Sequence, residues 1–283
     1  EEMDETVDQS AISSTFGGRI EMNNLPDYEN QSIPSYISKD NTAGNEISNE
    51  GATLGRVLFY DKQLSSNNTI SCASCHQQEF GFSDNLQASA GVNGVTGRHS
   101  MRLITARFAD EDKFFWDERA STLEFQTTQP IQDHVEMGFS GESGDEDIDA
   151  LIEKLQDIPY YQELFTYAFG DEQITESRMQ SALSQFIRSI QSFDSRYDNG
   201  LTNANNNIGA NFSNFSAQEN EGKRLYMGRV EFNNNGLRIG GGLGCNSCHR
   251  SPEFDIDPGS QNNGLISSIG GGTDTNVTRS PSL

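Results

Sequence analysis

The stretch Cys72-Ala-Ser-Cys75-His76 recurs as Cys245-Asn-Ser-Cys248-His249, and the two copies use all four cysteines and two of the four histidines of the 283-residue chain. Two cysteines three apart, with histidine directly after the second, is the spacing of a covalently attached c-type haem. On one helical turn the two thiols reach the two vinyl groups of a single porphyrin, and the next residue turns its imidazole under the iron. A zinc site and a dithiol redox site are the other readings of such residues. A zinc ribbon wants its cysteine pairs roughly 15–20 residues apart, whereas these pairs lie about 170 apart. Two c-type haems are therefore the expected cofactors. Cys72, Cys75, Cys245 and Cys248 would attach them, and His76 and His249 would be the proximal iron ligands.

Two well-separated haem sites favour two domains. Haem also supplies apolar filling to a chain in which only 33% of residues are hydrophobic. Haem attachment of this kind points to a periplasmic location, or one otherwise outside the inner membrane. No stretch approaches the 18 or more apolar residues of a membrane span. Glu1 to Asp8 has neither the basic start nor the apolar centre of a signal peptide, and reads as the terminus left by a removed signal or lipid anchor. The formal charge of −23, from 42 acidic and 19 basic residues, argues against nucleic acid and anionic lipid as partners. It would steer a basic electron carrier inward, and it serves solubility equally well.

Residues 1–45 are polar and without sustained period, and are expected to form an extended or partly disordered arm. Leu54, Val57 and Leu58 mark a short helix to Tyr60. Ser121 with Glu124 is a capping box for a helix to about Thr128. Ile131 to Met137 reads as extended, and Gly91–Gly97 as a loop. Ile148, Leu151, Ile152 and Leu155 give an amphipathic helix broken at Pro159, after which Tyr161, Leu164 and Phe165 resume the period. Met179, Leu183, Phe186, Ile187 and Ile190 predict the strongest helix. No comparable strand pattern occurs. The expected class is mainly α, with long loops: a haem domain over 46–199, an Asn-rich linker over 200–215, and a second haem domain over 216–283 opened by the Ser216/Glu219 capping box. That second domain is short for one that packs a helix on its haem edge, which points to residues beyond Leu283.

Phe115-Trp116-Asp117-Glu118-Arg119-Ala120, then Leu123 and Gln126, then Pro130-Ile-Gln-Asp-His-Val-Glu-Met-Gly138 resembles the central signature of the bacterial di-haem cytochrome c peroxidase family, which includes the MauG-type enzymes. The resemblance runs from about Gly51 to Leu283 and takes in both haem motifs and the closing Ser-Pro-Ser-Leu. It implies two cytochrome c-like domains and the reduction of hydrogen peroxide to water with electrons from a small cytochrome c or cupredoxin. It makes the haem on His76 peroxidatic and the haem on His249 the electron-entry site. Glu136 becomes the distal acid–base, Gln126 its hydrogen-bonding companion, and Trp116 the path between the haems. A calcium ion held partly by backbone near Pro281 is also implied, and a homodimer is compatible with the reading. Splitting peroxide requires a proton to move to the leaving oxygen, which a carboxylate within hydrogen-bond reach can do, and a neighbouring amide can orient peroxide.

Three positions depart from the family pattern. His99 stands where an Asn usually helps hold calcium; it would be either a switchable iron ligand or a structural histidine. The Gly91–Gly97 loop has no histidine, so the first iron could also be permanently open. His134 replaces a proline and is expected at the surface or pocket rim. The sixth ligand of the second haem, Met or Tyr in the family, would lie beyond Leu283, and Met227 reads as core. The alternatives to a peroxidase are a MauG-like oxidase of a protein or small molecule, and a non-enzymatic electron-transfer cytochrome.

Overall fold

A computed structural model describes residues 10–110, 113–259 and 271–273. Among these the structure is mainly helical, with strands confined to three antiparallel pairs. The helices are α1 (Ala11–Phe16), α2 (Asn49–Tyr60), α3 (Cys72–Cys75), α4 (Leu123–Thr128), α5 (Ile148–Gln156), α6 (Pro159–Phe169), α7 (Glu176–Ser189), α8 (Arg196–Asn203) and α9 (Ala217–Met227). The strands pair as β1 (Ala90–Gly91) with β2 (Gly94–Val95), β3 (Val230–Phe232) with β4 (Arg238–Gly241), and β5 (His249–Arg250) with β6 (Asp255–Ile256). Two compact units result, and neither is continuous in sequence. One comprises Glu1–Gln31, Thr42–Ser100 and Thr122–Ser189; the other comprises Ser32–Asn41, Met101–Ser121 and Ile190–Leu283.

The first unit is built on α2 against α7. Ser48 caps α2 by accepting from Gly51 N, and Leu54, Val57, Leu58 and Phe59 turn inward. They meet Met179, Ala182, Leu183, Phe186 and Ile187 of α7, with the Phe59 and Phe186 rings 5.2 Å apart. Gly51 and Gly55 let the backbones approach: a Cβ on Gly55 would run into the Ala182 carbonyl, and one on Gly51 into Gln185 Oε1. Asp147 caps α5, and Pro159 occupies the first turn of α6, where its missing N–H costs nothing.

Three expectations are corrected here. The cap of α4 is Thr122, which accepts from Phe125 N at 3.1 Å, and not Ser121. The arm over 1–45 contains a helix, α1, because Ser10 caps it and the Glu163 carboxylate accepts from Ala11 N (2.7 Å) and Ile12 N (3.0 Å). The segment 200–215 is not a bare linker. It begins in α8, which buries Leu201, and it also buries Phe212, whose N–H donates to Asn220 Oδ1 at 2.7 Å.

A polar knot joins α4 to α7. Glu124 Oε1 accepts from Arg188, from Asn45 Nδ2 at 2.9 Å and from Ser184 Oγ at 3.1 Å. Burial pushes the Glu124 carboxyl up, but the Arg188 and Asn45 hydrogen bonds and the Arg188 charge prevail and hold it at about 2. In the second unit the strap Ser32–Asn41 supplies Tyr36, which donates to Asp198 Oδ1 at 2.7 Å, and Lys39. Lys39 Nζ lies 2.9 Å from Asp255, 3.4 Å from Glu253 and 3.3 Å from Asp110. The Asp255 and Glu253 side chains are almost wholly buried.

Two outcomes follow for stability. Gly55→Ala gains about 1 kcal/mol of helix propensity but forces α2 off α7, so urea denaturation should show a net loss of about 1–3 kcal/mol. The contribution of Glu124 is complete above its ordinary 4.5 and is lost as pH falls toward about 2. Melting temperatures of Glu124→Gln should lie below those of the wild type at neutral pH and converge with them through that acid window.

Candidate functional site

The first motif is presented on a single turn. Ser71 N donates to Ser74 Oγ at 3.0 Å, and His76 N closes the turn on the Cys72 carbonyl at 2.9 Å. The His76 ring nitrogen Nδ1 lies 2.8 Å from the Phe82 carbonyl. A carbonyl only accepts, so Nδ1 carries the proton and Nε2 is the lone-pair nitrogen. This is the arrangement that orients a metal-ligating imidazole. Phe59 stands beside it with ring centroids 6.4 Å apart. Burial, then the neighbouring Cys75 and Glu136 charges, pushes the Cys72 thiol up to about 12. Burial also raises Cys75, with Glu136 and Asp84 adding and a Ser89 hydrogen bond opposing. Such thiols are the reverse of an activated dithiol, and their apolar setting suits a porphyrin edge.

Glu136 is held near this motif by its backbone. Asp133 Oδ1 accepts from Val135 N (2.8 Å) and Glu136 N (2.9 Å), and the Asp133 carbonyl accepts from Met137 N and Gly138 N. The segment expected to be extended is therefore a tight turn, wound about one aspartate. The Gly91–Gly97 loop contributes the β1–β2 hairpin, whose Val92 N donates to the Glu136 carbonyl at 3.0 Å and whose Asn93 Nδ2 donates to the His134 carbonyl at 2.9 Å. Any Cβ on Gly91 would collide with the Val135 carbonyl. Glycine at that position gave the only sequence signal of this clamp. Gln126 lies half-buried on α4 in the same unit.

His99 faces protein on both ring nitrogens. Nδ1 donates to the Leu86 carbonyl at 2.6 Å with Asp84 Oδ1 at 3.2 Å, and Nε2 is 3.1 Å from Ser83 Oγ. In this conformation it offers no nitrogen to an iron. His134 is half-exposed, 2.8 Å from Asp145, whose carboxyl is lowered by hydrogen bonds from Ser140 and then His134. Trp116 belongs to the second unit, half-buried in a turn closed by the Phe114–Ala120 bridge and flanked by the Arg119 guanidinium 3.5 Å over the Phe115 ring. Pro281 lies outside the described residues. Among those residues no cluster of three or more His, Cys, Asp or Glu is disposed to hold an ion.

The second motif enters from Gly244, left-handed at φ 76°, into a turn over Cys245–Ser247, after which His249 heads β5. Tyr226 of α9 donates to the His249 carbonyl at 2.7 Å. His249 Nδ1 is buried and has no hydrogen-bond partner among the described residues, a polarity that a group outside them would have to answer. Beside it lies a cavity of about 560 Å³ whose lining includes Met227, Asn246, Ser247, Lys39 and Arg229. Met227, expected in the core, lines this cavity, and its sulfur accepts from Ser251 Oγ at 3.2 Å.

Comparisons with known proteins agree with this arrangement. The family model for di-haem cytochrome c peroxidase matches residues 49–206. The chain is 35% identical over 183 residues to the methylamine utilization protein MauG of Methylophilus methylotrophus, covering 62% of this chain and 49% of that protein. It is 30% identical over 214 residues to the cytochrome c551 peroxidase of Pseudomonas aeruginosa, covering 74% and 56%. A solved structure of a MauG-like protein associated with microbial copper homeostasis superimposes with a TM-score of 0.70 at 28% identity, over 89% of this chain and 74% of that one. The chain spans about half the length of the curated relatives it matches. No helix among the described residues is long and apolar enough to cross a membrane. With a family match covering more than half of its length, and with a haem-type motif held as an iron-binding histidine requires, the chain belongs to the di-haem cytochrome c peroxidase family.

Proposed function

We propose that the protein acts outside the inner membrane as a di-haem peroxidase. It reduces hydrogen peroxide to water with electrons from a small cytochrome c or cupredoxin. Electrons enter at the Cys245–His249 motif and pass by way of Trp116 to the Cys72–His76 motif. What supports this reading is Glu136, whose charge adds to the burial that raises both thiols of the first motif and whose backbone is pinned by Asp133 and the β1–β2 hairpin. Haem held through Cys72, Cys75 and His76 would supply the redox iron on which peroxide is reduced. The carboxylate of Glu136 takes the proton from one peroxide oxygen and delivers it to the other, which leaves as water. Gln126 orients the substrate by hydrogen bonding. The acidic surface favours a basic donor protein.

A MauG-like oxidase of a protein or small molecule is the second reading. The similarity to MauG proteins supports it as well as the similarity to peroxidases supports the first. Spectra of the oxidised and half-reduced protein, with and without peroxide, separate the readings. Rapid turnover with a reduced small redox protein marks the peroxidase. Slow turnover with it, but long-lived oxidation of the haem pair, marks the oxidase. A first haem that stays six-coordinate and inert to peroxide in both redox states excludes both and leaves an electron-transfer cytochrome.

Glu136→Gln should abolish peroxide turnover in a steady-state assay while haem content, read from the pyridine haemochrome spectrum, stays at two per chain. Gly91→Ala should lower kcat with haem content unchanged, because its methyl displaces the Val135–Glu136 backbone. Unaltered kcat in both variants would remove Glu136 from the reaction.

A further inference from the structure

The end of α2 carries a group that the peroxidase reading does not use. Asp61 follows α2 directly, and its Oδ2 accepts from two phenols at once, Tyr160 at 2.7 Å and Tyr161 at 2.8 Å. The two rings are stacked obliquely, with centroids 4.7 Å apart. Tyr161 is completely buried on α6 where that helix packs on α2, and α2 also sets Phe59 against His76 with ring centroids 6.4 Å apart. Tyr160 is half-exposed, against the edge of Phe16 at 5.3 Å. A buried phenol, a half-exposed phenol and the one carboxylate they share therefore lead outward from the helix that meets the first motif.

We infer that Tyr161 and Tyr160 are a one-electron relay that carries oxidising equivalents from the first haem site to the protein surface, with Asp61 as its proton acceptor. The inference rests on the peroxidase reading, which supplies the oxidant. Burial and the Asp61 charge hold both phenols far above their ordinary value, so each is protonated at neutral pH and loses an electron only together with its proton.

The steps balance. Tyr161 gives one electron to the peroxide-oxidised haem, which is reduced by one electron. The Tyr161 O–H bond breaks, and its proton forms an O–H bond on Asp61. Tyr160 then gives an electron to the Tyr161 radical, Asp61 returns its proton to Tyr161, and the Tyr160 proton takes its place on Asp61. The radical on Tyr160 is finally quenched by a one-electron reductant of the phenol class at the surface, which donates the electron and releases its own O–H proton to water, while Asp61 returns the held proton to Tyr160. Such a relay would discharge the haem whenever the protein donor is absent, and would oxidise small phenols at the protein surface.

The test uses the haem-loaded full chain with one equivalent of hydrogen peroxide and no donor, frozen within milliseconds and read by electron paramagnetic resonance. Ring-deuterated tyrosine identifies the radical. The expected result is a tyrosyl signal that Tyr161→Phe removes, that Tyr160→Phe confines to the buried ring, and that Asp61→Asn makes slower to appear. Both phenylalanine variants preserve ring volume, and melting curves confirm their folding. In wild type without donor, mass spectrometry should find oxidised or cross-linked Tyr160, lost in Tyr161→Phe. If the iron signals change with peroxide but no tyrosyl signal depends on these residues, the relay is overturned while the peroxidase reading stands. If the iron signals do not change, the peroxidase reading fails and takes the relay with it.

Discussion

The seating of α2 on α7, possible only because Gly55 has no side chain to strike the Ala182 carbonyl, sets the positions on which the first haem site depends. With α2 fixed, Phe59 meets His76 on one side and Phe186 on another, and Asp61 comes to the phenols of α6. The His76 imidazole is then oriented by the Phe82 carbonyl, a contact six residues along the chain that needs no help from distant elements. Long-range packing thus places the motif, and a local hydrogen bond aims its ligand. The two tasks are separable, as they should be where a histidine must keep one tautomer.

Around that seam the protein compensates for a low apolar content with polar groups that are satisfied in clusters. The carboxylate of Glu124 serves Arg188, Asn45 and Ser184 together, and Asp133 serves Val135 and Glu136. Asn220 closes on the backbone of Phe212 through both of its side-chain atoms. Each such knot fixes a turn or a helix end that a hydrophobic chain would have fixed by burial.

The amphipathic helices were legible because their period is local. Leu151 and Leu155, or Met179, Leu183 and Phe186, lie on one face whatever they pack against. The cap at Ser216 and the interruption at Pro159 were legible for the same reason. The turn at 131–138 was not, since its shape comes from the Asp133 side chain competing for backbone donors, and its neighbour is a hairpin some forty residues away in sequence. α8 was hidden by asparagines that read as linker; Ser195 caps it, and Asn199 and Asn214 clasp its first turn by donating to the Ser195 and Arg196 carbonyls. At the site, both Cys-x-x-Cys-His motifs were legible from their spacing, whereas Glu136 entered only through the resemblance to a family. The engagement of both His99 nitrogens was not legible, because Ser83 and Leu86 are ordinary residues whose role is geometric.

The strap Ser32–Asn41 has a consequence for how the chain can be cut and made. Lys39 sits against two buried carboxylates, Glu253 and Asp255, that leave the ribosome more than two hundred residues later. The second unit therefore has no single pair of cleavage points that releases it whole. A fragment beginning at Ile190 would carry two interior negative charges with their lysine left behind on the other piece. The nascent strap must likewise wait, its counter-charges unmade, until nearly the whole of the described chain has emerged.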